Sequence, residues 1–165
     1  MLRQGLIGIL LAAAVAPHAW AEPTFPKKPT AAEVSQSIVR YGARATVSAL
    51  FDQKRWDYVA GRIGEGDAAW VALAPKLAPG ADAGTAEELP IELAFALPLN
   101  PAAVLAAVHT GAFEVSDVCG APFIEDTVKD IPGYLRKATA AVARVTDPAL
   151  AATKAACLQT LAKAG

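Results

Sequence analysis

Apolar residues recur at helical spacing through most of the chain, and residues that favour helix starts precede several of these runs. Thr30 and Glu33 form the pattern of a capping box, in which each side chain bonds the backbone N–H of the other residue. Val34 and Ile38 then begin an apolar stripe of helical period. The pattern predicts a first helix that runs from this box to about Phe51.

Two shorter helices are predicted next. Asp52 is a candidate N-cap for a helix that buries Trp56 and ends at Gly64, because glycine commonly terminates helices. Asp67 is the candidate cap of a third helix, since an apolar run follows it directly.

The centre of the chain contains a turn and a second capping box. Residues 79–84 are made of Gly, Pro, Asp and Ala, a composition typical of turns. Thr85 and Glu88 then stand three residues apart, as Thr30 and Glu33 do. This spacing predicts a helix over about 86–97 that starts at Thr85.

In the last part of the chain, the pattern predicts three helices and one irregular stretch. Asn100 precedes a proline that suits the first helical position, so the pair predicts a helix start. Residues 112–126 fit either an extended segment or a single helical turn. A helix over about 127–145 or 131–145 follows, and Asp147, with the proline after it, starts the final helix.

These patterns together predict an all-α fold of six or seven short helices. Alanine accounts for 39 of the 165 residues, which favours packed helices because alanine is the best helix former and a poor strand residue. Short links between the helices favour an irregular compact bundle, and a short curved stack of helix pairs is the alternative. We expect a single helical domain over residues 30–165, preceded by an extended lead-in over 22–29 that is rich in Pro and Lys.

Residues 1–21 have the composition of a signal peptide. Arg3 is basic, residues 6–15 are apolar, and Ala19 and Ala21 fit the small residues before a cleavage site. The apolar run is too short to span a bilayer, which requires about 20 residues. We therefore expect cleavage near Ala21, a periplasmic or secreted location, and no membrane insertion afterwards.

Export changes the interpretation of the two cysteines. Cys119 and Cys157 are the whole cysteine content of the chain, and two thiols in an oxidising compartment usually pair. A structural disulfide is therefore expected. Together with His109, the one histidine beyond the leader, they fall short of the four ligands of a structural zinc site. The sequence predicts no metal and no cofactor.

Charge is distributed unevenly beyond residue 21. Residues 22–63 carry seven basic and four acidic groups, residues 64–126 carry one and ten, and residues 127–165 carry six and two. The acidic middle either folds against the basic ends or offers an acidic surface to a basic protein partner. The basic residues that could neutralise it are Arg40, Arg44, Arg136 and Lys137. The candidate protein-binding residues are Asp82, Glu87, Glu88 and Glu92.

Four stretches of the chain carry a resemblance to known proteins: GDAAW at 66–70, PGADAGT at 79–85, LPLNP at 97–101 and CGAPFIE at 119–125. In these stretches the sequence resembles a family of small exported bacterial proteins of uncharacterised function, over about 60 residues. The resemblance implies no activity and transfers no catalytic residue to this chain.

The residue types do not point to one reaction. His109 lies at a predicted helix end, where it can meet terminal carbonyls, and no nucleophile motif is present, so no catalytic residue is predicted. Residues 22–165 carry 14 basic and 16 acidic groups, a balance that disfavours nucleic-acid binding. We expect an exported helical protein that binds another protein, as an inhibitor, an immunity protein or an adaptor. The alternatives are a carboxylate-based enzyme without a recognisable motif and a small-molecule carrier with an apolar cavity lined by Trp56, Trp70 or Phe95.

Overall fold

The computed structural model describes residues 22–124 and 127–165. Every regular element in these residues is a helix, which confirms the all-α prediction. Among them, seven helices have nine to fourteen residues and three have four or five. In chain order they are α1 (Ala31–Tyr41), α2 (Ala43–Asp52), α3 (Trp56–Gly64), α4 (Ala68–Val71), α5 (Ala74–Leu77), α6 (Ala83–Ala96), α7 (Pro101–His109), α8 (Val115–Cys119), α9 (Ile131–Ala143) and α10 (Ala151–Ala164).

Short 3-10 turns over Ala78–Gly80 and Pro148–Leu150 complete the regular structure of these residues. None of the described helices combines the length and the apolar character that crossing a bilayer requires. The predicted signal peptide over 1–21 and its cleavage position lie outside the described residues.

Three helix starts that depend on one side chain lie where the sequence predicts them. Thr30 Oγ1 accepts a hydrogen bond from the Glu33 backbone N–H at 3.2 Å, and Glu33 Oε2 accepts from the Thr30 N–H at 2.7 Å, so the first capping box is confirmed. Asp67 caps α4 by accepting from the Ala69 N–H at 3.0 Å. Asn100 caps α7 in the same manner.

The first predicted helix is two helices. Gly42 has a φ of 84°, a left-handed value that favours glycine, and it separates α1 from α2. The predicted role of Asp52 as a cap is wrong, because Asp52 is the last residue of α2 and accepts from Ser48 Oγ at 3.3 Å. Lys54, with a φ of 56°, turns the chain, and α3 starts after Arg55 without a side-chain cap.

The predicted start of α6 is wrong by three residues. Asp82 is its N-cap, and the Asp82 backbone N–H donates to Thr85 Oγ1 at 2.8 Å. Thr85 therefore occupies the position that Glu or Gln takes in the usual capping box. Because the helix begins earlier, Glu87 and Glu88 lie in its second turn.

The core closes the helices into one bundle. Helix α3 packs along α6, and Trp56, Ile63 and Leu89 are at most 2% exposed. Helix α10 returns to pack on α7, α8 and α9, and a disulfide bond joins Cys119 in α8 to Cys157 in α10 with their Cα atoms 5.4 Å apart. The return of the last helix onto three earlier ones is the geometry of a compact bundle, and the predicted disulfide is present.

The lead-in over residues 22–29 contains no helix and lies against the turn after α2. The side-chain amide of Gln53 holds the lead-in through two hydrogen bonds. Its Oε1 accepts from the Phe25 backbone N–H at 2.9 Å, and its Nε2 donates to the Pro23 carbonyl at 2.8 Å. One side chain thus satisfies backbone polar groups of an extended segment that, among the described residues, has no neighbouring strand to pair with.

Candidate binding cleft

A cavity of about 710 Å³ lies between α2, the start of α3 and the start of α6. We call it the acidic cleft. Its size falls within the range typical of ligand sites, about 300–1,000 Å³. Two aromatic side chains line it: Trp56, which is 2% exposed, and Phe51, which is 62% exposed. The cleft therefore has a buried indole and an uncovered phenyl ring.

Four carboxylates and one guanidinium line the acidic cleft. The carboxylates belong to Asp52, Asp57, Asp82 and Glu88, and the guanidinium belongs to Arg44. They come from three helices, so the fold concentrates negative charge that is dispersed in the sequence. A concave site whose lining charges are mainly of one sign focuses its field and raises the local concentration of ions of the opposite sign.

The carboxylate of Glu88 is oriented by the indole of Trp56. Trp56 Nε1 donates a hydrogen bond to Glu88 Oε2 across the α3–α6 contact. Because Trp56 is buried, this bond fixes the position of a half-buried carboxylate on the wall of the cleft. The second oxygen, Oε1, keeps its capacity to accept from a ligand.

Glu92 lies one helical turn beyond Glu88 and does not line the cleft. Its carboxylate packs against Gly64, where a Cβ atom would collide with Oε2. Burial, and then repulsion by the Glu88 carboxylate, raises the pKa of Glu92 to about 7. The absence of a side chain at Gly64 thus makes room for a carboxylate at the end of α3.

The structure separates the four predicted binding residues into different environments. Asp82 is exposed, caps α6 and lines the cleft, and Glu88 lines it as a half-buried group. Glu87 is exposed but outside the lining, and Glu92 is half-buried against Gly64. Only Asp82 and Glu88 are therefore brought together in one site.

Within residues 22–124 and 127–165, one ion pair is present, between Arg62 and Glu65. The four basic residues expected to neutralise residues 64–126 form no ion pair in this part of the chain. Arg40 lies over the Tyr41 ring with its Cζ 5.1 Å from the centroid, and Arg44 lines the acidic cleft without an ion pair. None of the described carboxylates of the cleft therefore forms an ion pair.

Sequence reasoning missed three charged residues of the cleft: Asp52, Asp57 and Arg44. They belong to residues 22–63, whose net charge is positive, so the summed charge did not indicate that two of its carboxylates join an acidic site. The exposure of Phe51 could have been predicted, since a phenylalanine beside Asp52 at a helix end is a candidate for partial exposure. The sequence did not show that α2 and the start of α6 line one cavity.

Other chemistry is sparse in the described part of the chain. No group of three or more His, Cys, Asp or Glu side chains there has the arrangement of a metal site. His109 is exposed at the end of α7, and its Nδ1 lies 3.2 Å from Thr153 Oγ1. The acidic cleft is thus the described site in which the most charged groups converge.

Comparisons of the chain with protein-family models, with curated proteins and with solved structures found no match.

Proposed function

We propose that this chain is exported and acts by binding another protein. A basic side chain of that partner enters the acidic cleft. The observation that carries the proposal is the lining of the cavity, where four carboxylates face one guanidinium beside two aromatic rings. Inhibitor, immunity and adaptor roles all fit this mode of action. The disulfide between Cys119 and Cys157 supports export, since such bonds persist in oxidising compartments.

The aromatic residues favour a lysine or arginine side chain as the occupant. Lys and Arg carry an apolar stem below the charge, and the stem packs on an aromatic face while the cation meets carboxylates. Phe51 supplies such a face at the rim, and the oriented carboxylate of Glu88 supplies a fixed acceptor inside. The cleft thus offers both parts of the recognition.

Binding is better supported than acid–base catalysis. The carboxylate with the raised pKa, Glu92, lies outside the cleft lining, and Oε2 of Glu88 is already engaged by Trp56. General acid–base catalysis needs a titrating group within hydrogen-bond reach of the reacting atoms. An oriented carboxylate and an apolar rim suit stable recognition of a cation instead.

A pair of isosteric peptides tests the proposal. Hexa-arginine and hexa-citrulline have nearly the same shape, but only the first is charged. Isothermal titration should show saturable binding of hexa-arginine that weakens with salt, and at least about tenfold weaker binding of hexa-citrulline. Equal binding of both peptides, or none of hexa-arginine at low salt, would contradict the proposal.

A matched pair of variants separates the cleft from general charge. Asp52→Lys with Asp57→Asn alters the cleft, whereas Glu114→Lys with Asp117→Asn makes the same charge change at the start of α8, outside the cleft. We expect the first variant to lose hexa-arginine binding and the second to keep it. Equal losses in both would assign the binding to net charge and not to the cleft.

A further inference from the structure

A second cavity, of about 590 Å³, lies beside α9 and is separate from the acidic cleft. We call it the α9 pocket. The loop between α6 and α7 forms one wall through Pro98 and Leu99, and α9 forms the other. The two cavities share no lining residue, so the α9 pocket can be tested independently of the proposed function.

The wall on α9 is a stripe of aromatic, small and basic residues. Tyr134, Lys137, Ala140 and Arg144 follow one another at spacings of three and four, so they share one face along the helix axis. Ala140 leaves a gap between the two basic residues. Long side chains such as those of Lys137 and Arg144 can converge over that gap on one anion.

The opposite wall is apolar and partly uncovered. Leu99 is 65% exposed although it lines the cavity, and Phe95 is held by its contact with Phe123, whose ring centroid is 4.8 Å away. Phe123 in turn packs edge-on against Tyr134 at 4.7 Å. Phe95 and Tyr134 line the pocket and each contacts Phe123, and Leu99 offers apolar surface to an occupant.

The charges of the pocket favour an anion. Asp130 also lines it, but Oδ1 of Asp130 accepts from the Gly133 backbone N–H at 2.8 Å and so caps the start of α9. Among the described residues, neither Lys137 nor Arg144 has a carboxylate within ion-pair distance. Among the described lining residues, two cations therefore face the pocket against one carboxylate, which caps α9.

We infer that the α9 pocket binds an amphipathic carboxylate of the fatty-acid type. The alkyl chain covers Leu99 and Phe95, and the carboxylate lies over Ala140 between Lys137 and Arg144. A fully apolar ligand supplies no counter-charge to the two cations, and cationic amphiphiles are repelled by them. The cavity volume suits a chain of medium length.

Three probes with the same alkyl chain test the inference: decanoate, decanol and decyltrimethylammonium. Isothermal titration of the full exported chain should show one saturable site for decanoate. Decyltrimethylammonium should bind at least about tenfold more weakly, and salt should weaken decanoate alone. Absence of saturable decanoate binding, or equal affinity for the two charged probes, would overturn the inference.

Neighbouring residues on α9 provide the matched control. Lys137→Gln and Arg144→Gln should each weaken decanoate binding about two- to fivefold, while Arg136→Gln, on an exposed residue outside the lining, should leave it unchanged. Leu99→Ser should weaken decanoate and decanol alike, by about tenfold. Equal effects of the Arg136 and Lys137 substitutions would also overturn the inference. The hexa-arginine titration of the acidic cleft should be unaffected by any of these changes, so failure of one proposal does not imply failure of the other.

Discussion

Replacing Asn100 by alanine removes two hydrogen bonds, one that the side chain accepts and one that it donates. Oδ1 accepts from the Ala103 backbone N–H at 3.2 Å and so caps α7. Nδ2 donates to the Gly66 carbonyl at 2.9 Å and so ties the start of α7 to the turn between α3 and α4. Gly66 has a φ of 78°, and this tie helps to hold the turn in place.

The expected loss of stability follows from these two contacts. Removing a cap costs about 0.5–2 kcal/mol, and losing a neutral hydrogen bond costs about 0.5–1.5 kcal/mol. Asn100→Ala should therefore lower the free energy of unfolding by about 1–3 kcal/mol. Asn100→Asp keeps the capping acceptor and removes the donor to Gly66, so it should cost about 1 kcal/mol.

Urea unfolding followed by far-ultraviolet circular dichroism measures both variants on the same scale. The difference between the alanine and aspartate variants isolates the contribution of the cap. A loss below about 0.5 kcal/mol for Asn100→Ala would refute the reasoning, because changes of that size are typical of inert surface sites. Equal destabilisation by Ala and Asp would refute the assignment of Asn100 as a cap.

Three further predictions concern stability. Replacing Cys119 and Cys157 by serine removes a bond that spans 38 residues, and thermal unfolding should show a loss of about 2–4 kcal/mol, whereas unchanged stability would contradict a structural role. Burial raises the pKa of Glu92 in the folded state to about 7, above its ordinary value of 4.5, so the folded state binds the extra proton and stability falls as pH rises between those values. Glu92→Gln should therefore stabilise the protein by about 1 kcal/mol more at pH 8 than at pH 5, after allowance for solvent screening, and a pH-independent effect in urea titrations would exclude this role. Gly80→Ala places a Cβ against the backbone of α2 and should cost about 1–3 kcal/mol, whereas Gly61→Ala meets open space in α3 and should stabilise by about 0.5–1 kcal/mol; the opposite order in thermal unfolding would contradict the packing.

Local signals explain why part of the fold could be predicted. A cap acts within four residues, so Thr30, Asp67 and Asn100 could be identified from sequence alone. The errors arise where distant packing decides. Asp52 resembles a cap, yet the left-handed turn at Lys54 moves the start of α3 beyond its reach.

The candidate site shows the same division. Asp82 and Glu88 stand in a stretch of strongly negative charge, and the sequence identifies them without their surroundings. Asp52 and Asp57 join them only because α2 and α3 border the same cavity as the start of α6. Summed charge along the chain does not record which helices meet, so the cleft itself could not be predicted.

Photo-crosslinking at the rim of the acidic cleft tests the central claim most directly. Benzoylphenylalanine replaces Phe51, which is exposed and lines the cleft, or Val39, which is 86% exposed on α1 and lies outside it. Irradiation of cells that express the protein should produce a defined protein adduct from position 51, and Asp57→Lys should abolish it. Position 39 should give none. Equal adducts from both positions, or an adduct at position 51 that survives Asp57→Lys, would contradict recognition through the cleft.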